Sequence, residues 1–286
     1  MRYERPQTIE DATALMAGAE ANAFVLAGGT DLLVRMQSDA FEADLIVDIK
    51  AISGFDAITQ TEDGFVIGAA VPSAALSEDA ALVAAWPGVV EAANLIGSTQ
   101  IQGRCTIVGN LCNASPAADS VPALVAADAR AQIAGPAGTR EVAIADVPTG
   151  PGKVSLSKGE IIEAVLLPKP EPRTADAYLR FIPRTEMDIA VVGAAVNLSL
   201  GDDGTISAAR VALGAVAPKV LLVEEAAEAL IGSNLDEAAL EALAVACSNA
   251  SNPIDDKRGT VEYRKEVAGV LARRAAQTAY ARAGEN

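Results

Sequence analysis

Two short stretches hold the groups most able to do chemistry. Cys105 to Asp119 reads C-T-I-V-G-N-L-C-N-A-S-P-A-A-D, with Thr106, Gly109, Asn110, Asn113, Ser115 and Asp119 set between apolar runs. Leu26 to Asp31 reads L-A-G-G-T-D. A Gly-Gly turn between a strand and a helix leaves backbone N–H groups open to a phosphate-bearing ligand. Cβ atoms at Gly28 and Gly29 would block that approach, and the helix start adds partial positive charge. Thr30 offers a hydroxyl, and Asp31 a helix cap. The alternative is a plain tight turn, since neither a GxGxxG nor a GxxxxGK pattern occurs. Thr106 to Asn110 combines a hydroxyl, a glycine and an amide that both donates and accepts. Taken alone it is either a ligand loop or a polar connection. Asp119 either accepts from a sugar-type hydroxyl or caps the following helix.

Composition narrows the chemistry. The 286 residues include no histidine, which excludes Ser-His-Asp and Cys-His hydrolases and argues against most catalytic zinc or non-haem iron sites. Redox chemistry on this chain therefore needs an organic cofactor. Cys105, Cys112 and Cys247 are odd in number and lack CxxC spacing. That fits a reducing compartment and argues against a disulfide framework, a zinc site or a cysteine-ligated cluster. Cys105 and Cys112 read as small buried thiols. A net charge of −16 argues against a nucleic-acid partner. No uninterrupted apolar run reaches roughly 18 residues, so no membrane span is expected. Met1 leads into Arg-Tyr-Glu-Arg rather than an apolar segment, so a cytoplasmic location is expected.

The elements that would position these stretches follow from pattern. Thr8 caps a helix through Ala12, Leu15 and Met16, with an acid three residues on. Phe24–Ala27 is a strand, Leu32–Met36 a helix and Leu45–Ile49 a buried strand, forming a unit that ends near Ser53. Residues 57–59 and 65–67 form a hairpin. Helices over 73–77, 80–86 and 89–96 come next. Cys105–Asp119 follows as a turn-forming loop, then a helix through Val121, Leu124 and Val125. A second hairpin, 131–134 with 141–144, and a strand over 161–167 lead to a proline-rich linker at 168–172. Strands over 189–200 and 206–216 precede an Ala-rich helical region from Pro218 onward.

Four stretches, in order, resemble the flavin-binding medium subunit of molybdenum hydroxylases, a family that includes carbon monoxide dehydrogenase and the flavin domain of xanthine dehydrogenase. They are L-A-G-G-T-D; T-I-V-G-N-L-C-N-A-S-P-A-A-D-S-V-P-A-L; Tyr178-Leu179-Arg180-Phe181 with Arg184 and Asp188 to Val192; and Asp256 to Arg264, similar to D-x-R-G-x-x-E-Y-R. The resemblance runs nearly to the C-terminus. It implies an α+β fold: a bipartite FAD-binding region of two α/β subdomains, of the PCMH or vanillyl-alcohol-oxidase-like type. A C-terminal domain with a small antiparallel sheet and helices completes it. The units would span 1–53, 54–172 and 173–286.

By the same resemblance, Val25, Leu26, Ala27, Gly28, Gly29, Thr30 and Asp31 form the first diphosphate loop. Thr106, Ile107, Val108, Gly109 and Asn110 form the second, Asp119 sits on the cofactor's polar chain, and Ile162 and Arg180 lie near the cofactor. The family has glycine where this chain has Val108, so position 108 is expected at negative φ with its side chain turned away. Ile96 stands where the family has an aromatic flavin contact. Tyr178 either stacks on the flavin or gates access to it, or it merely opens a strand. Arg184 and Asp188 are expected to pair. Tyr263, Arg264, Arg273 and Arg274 are expected on a solvated helix face or an interface.

The implied function is FAD-binding electron transfer within an oxidoreductase. A small subunit would carry [2Fe-2S] clusters and a large one molybdopterin, in a dimer of heterotrimers, with NAD or another acceptor taking the electrons. Two other readings stay open: a flavin-free structural or assembly subunit, and a stand-alone flavin oxidase with FAD attached at Cys105 or Cys112.

Overall fold

The computed structural model describes every residue except 21, 39, 40, 185 and 286. The chain opens with β1 (Arg2–Glu4), α1 (Ile9–Gly18), β2 (Ala23–Leu26), α2 (Leu32–Gln37) and β3 (Leu45–Asp48). β3 lies centrally and runs parallel to both neighbours. All four of its residues are buried, as a central parallel strand requires. The Thr8 hydroxyl accepts from Asp11 N at 3.2 Å and starts α1 as expected. β1 has no apolar alternation to signal it; it is a strand because β3 offers it an edge.

The next stretch holds β4 (Ile58–Thr61), β5 (Gly64–Gly68), α3 (Ser73–Glu78), α4 (Ala80–Ala85), α5 (Pro87–Ala93), α6 (Thr99–Gln102), α7 (Ile107–Asn113) and α8 (Ser120–Ala126). It ends with β6 (Arg130–Gly135), β7 (Gly138–Ala143), β8 (Pro148–Gly150), β9 (Lys153–Val154) and β10 (Ile161–Pro168). β10 inserts between the two hairpins, giving an antiparallel sheet in the order β4-β5-β10-β6-β7. Its side chains at Ile161, Ile162, Val165 and Leu167 enter the core shared by β3, β5 and helices α3, α4, α5, α7 and α8. Trp86 is buried there and donates Nε1–H to Pro168 O at 2.9 Å.

The last stretch comprises β11 (Thr174–Phe181), β12 (Val192–Leu200), β13 (Ile206–Gly214), β14 (Leu221–Leu222), α9 (Glu224–Glu228), α10 (Glu237–Ala250) and α11 (Val261–Glu285). The strands form an antiparallel sheet in sequence order. α11 lies on β11 and β12 through Ala268, Ala272, Ala275, Ala276, Ala279 and Ala283, whose small side chains permit close approach. Two expectations change here. The strand placed from Ile189 begins at Val192, because Asp188 Oδ1 takes the Ile189 N–H and turns the chain. The region after Pro218 is not wholly helical: Leu221–Leu222 pair with Leu213 and Ala212 before α9 begins.

Arg264 is a third correction, since it is buried rather than solvated. It donates to Val191 O at 2.8 Å and to Asp256 Oδ1 at 2.6 Å, tying the start of α11 to the entry of β12. Its buried, charge-assisted contacts explain why the D-x-R-G-x-x-E-Y-R stretch reads as a unit. Arg184 and Asp188 pair as expected, at 3.5 Å.

The second and third sheets are joined by Asp176 on β11. Its carboxylate accepts from Gly88 N at 2.8 Å and Val89 N at 2.9 Å, capping α5 across the junction. A Cβ on Gly88 would stand 2.6 Å from Asp176 Oδ2, so this cap needs glycine. Burial pushes the Asp176 carboxyl up to about 7, against the two N–H donors. Arg282 of α11 reinforces the junction, pairing with Glu91 and donating to Asp176 O at 2.8 Å.

Candidate cofactor-binding site

The turn after β2 and the start of α7 face each other across a cavity of about 520 Å³. Ala27, Gly28, Gly29, Thr30 and Asp31 line one wall, and Thr106, Val108, Gly109 and Asn110 line the other. Val25, Ile96 and Ile162 complete it from the core. The two walls touch. A Cβ on Gly28 would fall 2.1 Å from Arg104 O and 2.9 Å from Cys105 Cα. Glycine is thus required at 28 by the second segment itself, rather than by an approaching ligand. Gly29 is required by its backbone, at φ +79°. Asn113 Nδ2 donates to Asp31 Oδ1 at 3.3 Å, a further tie between the walls.

The polar backbone accounting points into this cavity. Among the described residues, the N–H groups of Gly28, Gly29, Thr30 and Asp31 have no protein acceptor, nor do those of Thr106, Ile107 and Val108. Backbone donors beside a cavity rarely stay unpaired, and consecutive ones form an anion cradle. α2 has six residues and α7 seven, so neither sums to much macrodipole. What they offer is first-turn N–H groups.

The second segment is not the loop expected. Residues Ile107–Asn113 are helical, begun by the Thr106 hydroxyl accepting from Gly109 N at 2.9 Å. Val108 accordingly has negative φ, and it is buried while bordering the cavity. Asn110 Oδ1 accepts from Ser120 N at 3.2 Å and Oγ at 2.7 Å, so its amide caps α8. That leaves Asp119 free of a capping role. Likewise Asp31 makes no side-chain cap bond to α2.

The remaining expected residues lie off the cavity. Leu26 and Ile107 are buried core side chains. Asp119, Tyr178 and Arg180 form their own buried cluster, with Arg180 Nη1 to Asp119 Oδ2 at 2.7 Å and Tyr178 Oη to Asp119 Oδ1 at 3.3 Å. Arg180 Nε is buried with no partner among the described residues. Burial pushes the Asp119 carboxyl up to about 6 against its two donors, and it pushes the Tyr178 hydroxyl well up. Tyr178 sits mid-strand in β11, paired with Ala195, so it does not open a strand. Gly193 makes room for its hydroxyl, since a Cβ there would come within 2.5 Å.

Charge around the cavity is mixed. Lys158 and Arg35 border it as cations, Glu20, Asp31 and Glu160 as acids. Glu160 is paired twice with Arg140, at 2.7 and 2.8 Å, which holds its carboxyl below the usual range against burial. Burial raises Asp31 despite Arg35. The segment 154–161, leading to the expected Ile162, is a third wall not foreseen from sequence; Ser157-Lys158-Gly159-Glu160 ahead of a strand was its only signal. Cys105 is buried and touches the Ser73 hydroxyl at 3.4 Å, and burial pushes the Cys112 thiol up to about 12. Neither is primed as a nucleophile. Among the described residues no cluster of His, Cys, Asp or Glu could hold a metal ion.

Comparison with known proteins covers nearly the whole chain. Residues 1–170 match the family described as FAD binding domain in molybdopterin dehydrogenase, and 177–279 the CO dehydrogenase flavoprotein C-terminal domain. The chain is 33% identical over 284 residues to the xanthine dehydrogenase FAD-binding subunit of Escherichia coli O157:H7, covering 99% of this chain and 97% of that one. It is 34% identical over 281 residues to the carbon monoxide dehydrogenase medium chain of Afipia carboxidovorans, covering 98% and 97%. The structure superimposes on reconstituted CO dehydrogenase from Oligotropha carboxidovorans with a TM-score of 0.94, at 33% identity, covering 99% of this chain and 98% of that one. With both family models matched in order and the two walls of free N–H groups lying within the first, this chain belongs to the FAD-binding medium subunits of the molybdenum hydroxylase family.

Proposed function

We propose that the chain is the flavin-bearing electron-transfer subunit of a molybdopterin hydroxylase complex. It takes electrons from [2Fe-2S] clusters on a small partner subunit and passes them to NAD or another acceptor. A large subunit holds the molybdopterin, the assembly is a dimer of heterotrimers, and it works in the cytoplasm. The relatives' names support this: each is the FAD-binding or medium chain of a dehydrogenase. Among the described residues no helix is long and apolar enough to cross a membrane.

The observation that carries the cofactor site is the pair of facing N–H runs, Gly28–Asp31 and Thr106–Val108. An FAD diphosphate offers the acceptors that these donors lack, and the cavity volume lies within the range of small-ligand sites. We assign Val25 to Asp31, Thr106 to Asn110 and Ile162 to the dinucleotide. Asp119, Tyr178 and Arg180 take the flavin end, which the buried unpaired Nε of Arg180 supports. Unit 1–53 contributes the first wall, unit 54–172 the other two together with Asp119, and unit 173–286 contributes Tyr178 and Arg180. When bound, FAD supplies the electron carrier; this chain's residues bind and orient it.

Heat denaturation of the purified protein tests this. About one equivalent of free FAD per chain is expected, with redox chemistry carried by the cofactor alone. A colourless protein that cannot be reconstituted would favour the structural-subunit reading. Flavin left on the denatured chain would favour the covalent oxidase.

A further inference from the structure

Lys50 stands immediately behind the first wall and lies outside every residue assigned above. Its ammonium donates to Ala27 O at 3.1 Å and to Asp48 Oδ1 at 2.6 Å. Asp48 is buried, and its other oxygen accepts from the Tyr3 hydroxyl. Lys50 N also donates to Asp48 Oδ1, at 3.1 Å. The ammonium is therefore held in place rather than swinging in solvent, and it rests on a backbone carbonyl of the Gly-Gly turn.

That carbonyl belongs to the peptide group whose other pole is the Gly28 N–H. Among the described residues there is no cis peptide, and in a planar trans peptide the C=O and N–H point in opposite directions. Holding Ala27 O on one side aims the Gly28 N–H away from Lys50. A cation on the oxygen also polarises the peptide and strengthens its N–H as a donor. Gly28 and Ala27 both line the cavity, and among the described residues the Gly28 N–H has no protein acceptor.

From this arrangement we infer that Lys50 is a positioning residue for a diphosphate ligand, acting through the Ala27–Gly28 peptide without touching the ligand. The inference rests on the flavin reading of the site. A purely structural role, fastening β1 to β3 through Tyr3 and Asp48, is the competing account.

Three variants of the full chain separate them: Lys50→Met, Lys50→Arg and Tyr3→Phe. Each is measured for FAD affinity by titration, ADP affinity by competition with FAD, and thermal midpoint. Lys50→Met is expected to weaken FAD and ADP by the same factor, about tenfold. Lys50→Arg should restore most of both affinities. Tyr3→Phe, which spares the Lys50–Ala27 contact, should lower the midpoint but leave FAD affinity unchanged. Wild-type FAD affinity in Lys50→Met overturns the inference, as does unchanged ADP affinity in that variant. An equal loss in Tyr3→Phe also overturns it, in favour of the structural role. Wild-type protein that binds neither FAD nor ADP overturns the flavin reading itself.

Discussion

Gly28→Ala is the sharpest probe of how the two walls work together. The new Cβ would stand 2.1 Å from Arg104 O, whereas carbon and carbonyl oxygen settle no closer than about 3.3 Å. The walls must therefore separate by roughly 1 Å. Retreat of the second segment is resisted, because Arg104 N and Cys105 N both donate to Ile101 O at 2.9 Å and Cys105 O accepts from Ser73 N at 2.8 Å. The strain falls in the overpacking range of about 1–3 kcal/mol. If it is expressed as separation of the two N–H runs, FAD affinity drops by about 5- to 150-fold. The thermal midpoint falls by no more than about 2–4 °C per kcal/mol of that strain. Gly103→Ala is the matched control: φ is −68° and nothing lies within 4 Å of its Cβ. FAD titration followed by flavin fluorescence, alongside thermal melts of the apoprotein, reads both quantities. Wild-type affinity in Gly28→Ala would show that the walls do not hold one ligand jointly. An equal loss in Gly103→Ala would show that any disturbance near residue 104 suffices, and the reasoning would fail.

Two stability predictions concern the buried charges outside the cavity. Arg264→Met takes its Nη1 donor from the Val191 carbonyl and one of two donors from Asp256 Oδ1, which keeps the Arg258 N–H at 2.8 Å. Since Asp256 is partly exposed, a loss of about 2–3 kcal/mol is expected, below the upper range for breaking buried pairs. Urea midpoints check it; an unchanged midpoint would mean Arg264 only fills space. Asp176→Asn tests the junction cap through its pH dependence, with Glu91 and Arg282 as the neighbouring charges. The folded carboxyl titrates at about 7 against an ordinary 3.8, so the folded state binds its proton more tightly. That favours the folded state at low pH, and the advantage is lost as pH rises from about 4 to about 7, then stays constant. The stability difference should therefore shift toward Asp176→Asn across that window. A difference that stays flat with pH would refute the assigned cause.

Much of the fold was legible locally. The Thr8 cap, the Gly-rich hairpin turns and the alternating strands all follow from nearest-neighbour backbone preferences. Local rules failed where a partner decided the outcome. β1 needs the edge of β3, Val192 starts its strand because Asp188 turns the chain before it, and Ile107–Asn113 is a helix rather than a loop. In that last case Thr106 as cap, three residues before Gly109, was a local signal. The Gly and Asn around it pointed instead toward a turn.

The sequence by itself determined the residue types at the site, the absence of a side-chain acid–base catalyst based on histidine, and the order of the family-like stretches. It also placed the Gly-Gly turn directly after a strand. Only the tertiary structure decided which groups are free to bind. Whether a backbone N–H is spent inside the protein depends on every neighbour packed around it, and no window of sequence contains those neighbours. The same holds for Gly28, required by a carbonyl 76 positions later, taking Gly28 and Arg104 from their numbers. Lys50 is the clearest case. In sequence it is one lysine after a buried strand, while in space its ammonium donates to Ala27 O, the carbonyl of the peptide that leads into Gly28 at the cavity wall.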